Sequence, residues 1–398
     1  MSDTGGVRVT NRAREIEYAI RDMLGFAREV ERSGKKVIYL NIGDPAKFDF
    51  KTPSHIRKAL AKATENGCNY YASSEGVPAL KEAIAERERK INSVPLSEED
   101  VVVTSGISEG IQFLMGALVQ AGDEVLLPGP TYPPYISFVK LFGGTPVAYR
   151  TVEEDDWLPD LQDLRSKITK RTRLLVIVNP NNPTGSLYGE KILKGILDIA
   201  AEHRLVVASD EIYDRLVYDS KFTSTAALAK DLPVIGLNGF SKSHVMTGWR
   251  LGYLYFHDPT GVLEELKEAV AKQTRIRISA VTPVQFAAVS ALKGSQRHVE
   301  QMVQALKKRR DHFLRRIRAI EGLSCTTPSG AFYLFPKISL GDRWSSDREF
   351  AIDLVKNTGV LVVNGSGFDQ TYGSGHFRAV FLPPTSLIDE AANRIERF

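Results

Sequence analysis

Lys242 and Arg250 are the strong cations of Gly239-Phe-Ser-Lys-Ser-His-Val-Met-Thr-Gly-Trp-Arg-Leu-Gly252. A lysine among small and hydroxyl residues has two readings. It is a solvated loop lysine, or it is an amine held in a cleft near other cations, with its pKa lowered enough to attack a carbonyl. A guanidinium beside it would bind phosphate bidentately, and Ser241 would add a hydroxyl. An aldehyde that carries a phosphate suits both cations, and pyridoxal phosphate is such a molecule.

Other residues of the same chemical kind recur after apolar runs. Ser105-Gly-Ile-Ser-Glu-Gly110 separates the run 101–104 from an apolar helix expected over 111–119. Free amides and a positive dipole end there suit an anion. The same residues spell Gly106-x-Ser108-x-Gly110, the nucleophile elbow of serine hydrolases. That rival needs Asp369 and His376 as its acid and base. Asn179-Pro-Asn-Asn-Pro-Thr-Gly185 follows the unbroken apolar run 174–178, and Asp210 and Tyr213 follow 205–209. A carboxylate at the end of a buried strand is expensive unless paired; alternatively Asp210 caps the next segment. Tyr132, in Pro128-Gly-Pro-Thr-Tyr-Pro-Pro-Tyr135, offers a flat face to an aromatic ligand or packs on its own domain. Gly43 ends the strand 37–42 and lets a ligand approach the backbone. Arg378 stands in His376-Phe-Arg-Ala-Val-Phe381 and needs an anion, from a buried salt bridge or a substrate carboxylate.

The elements that would position these residues alternate. Short apolar strands are expected at 101–104, 124–127, 145–149, 174–178, 205–209, 234–237 and 251–256, with helices between, among them 190–203. This is a largely parallel sheet covered on both faces, with its candidate residues just after the strands, where open α/β sheets bind ligands. Helices are expected over 12–33, where Ile16, Ile20, Met23, Leu24, Ala27 and Val30 make an amphipathic face, and over 54–66, 79–92, 258–278, 283–292 and 298–320. Short strands at 331–336, 359–363 and 376–382, with a helix near 346–356, make a smaller α+β unit together with the chain's beginning. The proline-rich stretch 128–135 reads as a rigid loop.

Bulk numbers narrow the class. A chain of 398 residues with 43% hydrophobic and 25% charged residues is folded and large enough for two domains. A net charge of +4 is too weak to argue for nucleic acid or an anionic membrane. Cys68 and Cys325 form no motif and read as reduced thiols. Met1-Ser-Asp-Thr-Gly-Gly carries no apolar signal and no run reaches membrane-spanning length, so a cytoplasmic protein is expected. Neither a Walker A motif nor Gly-x-Gly-x-x-Gly occurs. The acidic run 153–156 reads as a solvated loop.

Taken together, the chain resembles the class I aminotransferases of pyridoxal-phosphate fold type I, and within them the archaeal and bacterial alanine aminotransferases. The shared wording includes Asn41-Ile-Gly-Asp-Pro, Asn69-Tyr-Tyr, Pro128 to Tyr135, Asn179 to Gly185, Ser209-Asp-Glu-Ile-Tyr213, Ser241-Lys242, Thr247-Gly-Trp-Arg250 and His376 to Pro384. The resemblance implies an α/β large domain over 54–285, its mainly parallel sheet sandwiched by helices, and a small α+β domain from 1–53 and 286–398. It implies pyridoxal 5'-phosphate as cofactor and an L-alanine to 2-oxoglutarate amino transfer, with aspartate or broad specificity as the nearest alternative.

The resemblance also implies roles. Lys242 would hold the cofactor covalently and then move the substrate's Cα proton. Asp210 would pair with the pyridine nitrogen, Asn182 and Tyr213 with the phenolic oxygen, and Tyr132 would stack on the ring. Gly106, Ile107, Ser108, Ser241 and Arg250 would hold the phosphate, with Tyr71 reaching in from the other subunit of a homodimer. Arg378 would grip the substrate carboxylate, helped by Asn182 and Gly43. Family members often have a cis Asn182–Pro183 bond. Arg275, Arg277 and Lys47 are candidates for a second, side-chain carboxylate. A non-catalytic pyridoxal-binding regulator would carry a DNA-binding module, for which residues 1–40 are too short.

Overall fold

The computed structural model describes residues 7–16, 18–339, 341 and 343–398. The chain start read above for a signal lies outside these, as does Glu17 within the stretch 12–33.

Among the described residues the largest sheet has eight strands. Their order is Val101–Thr104, Gly252–His257, Val234–Gly239, Val206–Asp210, Thr172–Val178, Glu124–Gly129, Thr145–Val152 and Leu158–Pro159. The central neighbours pair in parallel. Gly252–His257 is antiparallel to both its neighbours, and Leu158–Pro159 is antiparallel at the far edge. The unbroken apolar runs follow from burial on both faces. Val101, Val103, Leu175, Ile177 and Val207 join the core on one face; Val102, Leu174, Val176, Val178 and Ala208 join that on the other. This is the period-two alternation of a strand.

Register brings the chemistry to one edge. Val178 lies opposite Asp210, Asp210 opposite Leu237, Gly239 opposite Gly252, and Gly252 opposite Thr104. The residues leaving the parallel strands, and those entering the antiparallel one, therefore meet there. Arg250 precedes Gly252 and Gly106 follows Thr104, so reversal of a single strand sets the two side by side.

A further core joins the two ends of the chain. Ile38–Tyr39 pairs in parallel with Val360–Leu361, and Tyr333–Leu334, Phe377–Val380 and Val363–Asn364 form a three-stranded antiparallel sheet. Helices Leu24–Arg32, Arg297–Arg318, Asp347–Thr358 and Thr385–Glu396 supply Val30, Phe313, Leu354 and Ile388 to this core.

Several elements differ from the sequence expectation. The stretch 12–33 is not one helix: it contains Asn11–Arg14, Ala19–Asp22 and Leu24–Arg32. Of the apolar residues at helical spacing there, Ile16 is exposed while Ile20 packs with Trp157 and Phe335; contact with the rest of the fold overrides the local period. The supposed rigid loop contains helix Pro133–Leu141, because a proline at the first helical position has its φ already set for a helix. The helix after Gly106 begins at once, spanning Ile107–Leu118. The cis peptide bonds among the described residues are Gly129–Pro130 and Asn179–Pro180, so Asn182–Pro183 is trans; it lies in a turn closed by Asn181 Oδ1, which accepts from the Thr184 amide and hydroxyl. No described helix is long and apolar enough to cross a membrane.

Candidate active site

At the edge where the strands end is a cavity of about 520 Å³. Strand Val234–Gly239 delivers Lys242 to it. The Lys242 Nζ donates to the Gly43 carbonyl at 2.7 Å and lies 5.6 Å from the centre of the Phe332 ring. Burial lowers the amine to about 8; Asp44 opposes this, and the cations Arg378 and Arg250 reinforce it. The loop bends through left-handed backbone at Val245 (φ 55°) and Arg250 (φ 53°), conformations that side chains other than glycine adopt only when their surroundings hold them.

Asp210 closes its strand and is 3% exposed. It accepts from the Tyr135 hydroxyl at 3.0 Å and the Ile212 amide at 3.2 Å. Burial outweighs these donors and pushes its carboxyl up to about 6. Tyr213 shares a 2.6 Å hydroxyl contact with Tyr333. Tyr132 precedes helix Pro133–Leu141 and lines the cavity, its hydroxyl pushed up by burial and by a hydrogen bond with Tyr18.

Ile107, Ser108, Ser241 and Arg250 line one end of the cavity. Gly106 has φ 83° and caps the Ile107–Leu118 helix, whose first amides have no intrahelical acceptor. A Cβ on Gly106 would run into the Arg250 guanidinium. Arg250 donates to the carbonyls of Thr247 (3.1 Å) and Ser105 (3.3 Å). The arrangement has the donors and positive field of an anion site.

Arg378 lines another part of the wall and is 1% exposed. Its Nη1 donates to Asn182 Oδ1 at 2.8 Å and its Nη2 to the Asn41 carbonyl, while Nε has no partner among the described residues. The rings of Tyr333 and Phe368 lie 4.5 and 4.8 Å from the guanidinium carbon. Among the described residues no carboxylate pairs with it; Asn182 and the Asn41 carbonyl hold it instead of the salt bridge weighed from sequence.

Of the residues singled out in the sequence, Tyr71 stands apart. It is 79% exposed and does not line this chain's cavity. The three cations considered for a second carboxylate are elsewhere. Arg277 binds Glu109 and the Ser74 carbonyl, Arg275 binds Glu268, and Lys47 is not in the cavity wall. Arg21, brought in with Tyr18 and Ile20 by the broken N-terminal stretch, does line it. Tyr135, Tyr333, Asp44 and Arg21 were not read from the sequence. Tyr135 and Asp44 had a local signal, Tyr135 in its place after Tyr132 in a proline-fixed segment and Asp44 beside Gly43 in Asn41-Ile-Gly-Asp-Pro.

The hydrolase geometry fails. Ser108 shares its cavity with Lys242, and no histidine lines that wall. His376 stacks on Phe335 at 4.9 Å, and Asp369 accepts from the Thr371 and Tyr372 amides.

Comparison with known proteins gives the family. Residues 35–395 match the family model for aminotransferase class I and II. A solved alanine aminotransferase from Pyrococcus furiosus is 51% identical and superposes with a TM-score of 0.96, covering 98% of this chain and 99% of that one. The glutamate-pyruvate aminotransferase AlaA of Escherichia coli is 36% identical, covering 98% of both chains. An aspartate aminotransferase of Pyrococcus horikoshii is 34% identical over 92% of both.

Proposed function

Because the chain belongs to the class I and II aminotransferases, we propose that it moves the amino group of L-alanine to 2-oxoglutarate, using pyridoxal 5'-phosphate in a two-stage exchange. The observation that carries the reading is the convergence of Lys242, Asp210, Arg250 and Arg378 on one cavity. The names of the Pyrococcus furiosus and Escherichia coli relatives support alanine as donor.

The residues fit the cofactor. Asp210 is a buried carboxyl with two donors but no cation in hydrogen-bonding contact, as a protonated pyridine nitrogen requires. Gly106 leaves room beside Arg250 that a side chain would fill, and helix amides face the same end. When bound, pyridoxal phosphate supplies an aldehyde that takes up the amine and a ring that accepts the electron pair left at the substrate's Cα.

This chain's residues do the rest. Asp210, held ionised by Tyr135 and the Ile212 amide, keeps the ring nitrogen protonated. Gly106, Ile107, Ser108, Ser241 and Arg250 hold the phosphate. Tyr132 would pack against the ring, and Asn182 and Tyr213 would hold the phenolic oxygen. Arg378, in the cavity wall, takes the α-carboxylate beside Asn182 and Gly43. Lys242 would hold the cofactor through its aldehyde carbon, the aldehyde oxygen leaving as water, and its Nζ would carry the substrate's Cα proton, a task suited to an amine lowered to about 8. Arg21 is the cation available for the second carboxylate of 2-oxoglutarate.

The active form in this reading is a homodimer. Tyr70, Tyr71, Ile276, Ile278 and Val281 are exposed and large, and they lie on two stretches joined by the Thr282 hydroxyl donating to the Tyr70 carbonyl at 2.6 Å. An apolar patch of this kind marks an interface. Tyr71, open to solvent here, then reaches the other subunit's phosphate site.

The test is the visible absorbance of the purified protein, before and after L-alanine and then L-aspartate. A band that shifts with alanine supports the assignment. A shift with aspartate alone keeps the chemistry and changes the donor. No band after addition of pyridoxal phosphate overturns the reading.

A further inference from the structure

The acidic run that reads as a solvated loop is tied to the substrate arginine. After strand Thr145–Val152 the chain turns through Glu153–Asp155 and then places Asp156 and Trp157 in left-handed backbone, at φ 51° and 61°. A tryptophan at positive φ is a genuine conformational outlier. Such strain persists only where surrounding contacts over-determine it, and it concentrates at functional positions.

The Trp157 amide donates to the Val152 carbonyl of the preceding strand at 2.7 Å, while its ring contacts reach across to the unit that carries Arg378. The Trp157 ring is 3% exposed and meets Phe335 and His376 edge-on, at 5.5 and 5.2 Å. Phe335 stacks on His376 and touches Phe368 at 6.1 Å; Phe368 in turn lies against the Arg378 guanidinium. His376 precedes Arg378 by two positions, so both side chains leave the extended chain on the same side. Glu153 adds charge to the same join: it pairs with Lys337 at 2.9 Å and faces His376 Nε2 at 3.3 Å. Ile20, which lines the cavity, packs into this cluster.

We infer that Trp157 is a positioning residue for substrate binding: the turn 153–157 latches the strand that carries Arg378 and sets the guanidinium for the α-carboxylate. The inference rests on the carboxylate role given to Arg378 above. It extends that role to a residue that touches neither cofactor nor substrate. Among the described residues no carboxylate orients Arg378; Asn182 and the Asn41 carbonyl hold two of its nitrogens and the Phe368 ring packs on its face, and Trp157 bears on Phe368 through Phe335.

The experiment measures carboxylate binding apart from turnover. Holoenzyme saturated with pyridoxal phosphate is titrated with succinate, which cannot react, and the dissociation constant is read from the visible band. Trp157→Phe and Trp157→Gly are compared with Arg378→Gln, alongside KM and kcat for L-alanine and the affinity for pyridoxal phosphate. The expected result is a succinate constant and alanine KM raised about three- to tenfold in Trp157→Phe, the size of one lost aromatic pair, with kcat within about twofold. Trp157→Gly relaxes the backbone yet binds succinate more weakly still; a merely conformational role would leave its binding intact. Glu153→Gln keeps the ring, and serves if the tryptophan variants do not fold; it is expected to weaken succinate binding about twofold or more, as a lost charge contact would.

Weaker succinate binding in Arg378→Gln with none in the folded Trp157 and Glu153 variants overturns the latch alone. Unchanged binding in Arg378→Gln overturns the carboxylate role, and the latch with it.

Discussion

Tyr135 donates its hydroxyl to the Asp210 carboxylate across 3.0 Å, with both side chains buried. The bond favours the ionised acid against the burial that raises its pKa. Tyr135→Phe is therefore expected to push the Asp210 carboxyl further up and weaken the hold on pyridoxal phosphate. A lost hydrogen bond to a charged group predicts about tenfold weaker affinity. Equilibrium dialysis at pH 7 and pH 9 checks this, with the larger deficit at pH 7.

Asp210 also predicts opposite effects on stability and function. An acid raised from 3.8 to about 6 in the fold contributes stability that is fully present below pH 3.8 and lost as pH rises through about 6. Freed of cofactor, Asp210→Asn should thus be more stable than the parent by about 2–3 kcal/mol at pH 8, with the difference vanishing near pH 4. The same variant should lose nearly all transamination. Denaturant melts of the cofactor-free proteins at the two pH values decide the first half.

Lys242 is half neutral near pH 8. The rate at which the cofactor-free protein captures pyridoxal phosphate covalently should climb between pH 7 and pH 9 and then level off. Lys242→Ala should show no capture at any pH. Stopped-flow absorbance supplies both measurements. A rate still climbing through pH 10 would indicate an ordinary exposed lysine.

Arg21 lines the cavity where Arg275, Arg277 and Lys47 do not. Arg21→Gln should raise KM for 2-oxoglutarate about tenfold or more, the worth of one charged contact, and leave KM for L-alanine within about twofold. Equal rises for both substrates would place the second-carboxylate site elsewhere.

Tyr71 predicts complementation between subunits. Lys242→Ala and Tyr71→Ala proteins, each impaired alone, should regain activity when unfolded and refolded together. A mixed dimer has one site with both lesions and one with neither. Random mixing then restores about a quarter of parental activity, since half the dimers are mixed. No recovery would confine Tyr71 to its own subunit.

Much of the fold was legible because burial on both faces leaves an unbroken apolar run, as in 174–178, and such runs were read as strands at nearly their observed places. The candidate residues were legible because strand ends in an open α/β sheet lie together, so Asn182, Asp210 and Lys242 could be grouped without coordinates. The stretch 12–33 misled, since a helical period does not reveal that Ile16 faces solvent while Ile20 serves a distant cluster. Helix Pro133–Leu141 was hidden by prolines that suit a helix start as well as a loop.

By itself the sequence determined the alternation of strands and helices, the anion-suited turn at Gly106, and the lysine and arginine brought together in the loop 239–252. These depend on local periodicity and residue chemistry, which neighbouring positions express directly. Only the tertiary structure decided that Tyr135 holds Asp210, that Tyr333 meets Tyr213, that Arg21 rather than Arg275 enters the cavity, and that Trp157 bears on the arginine strand. Each joins residues from separate elements, whose distance is set by sheet register and packing between elements, and neither is encoded by spacing along the chain.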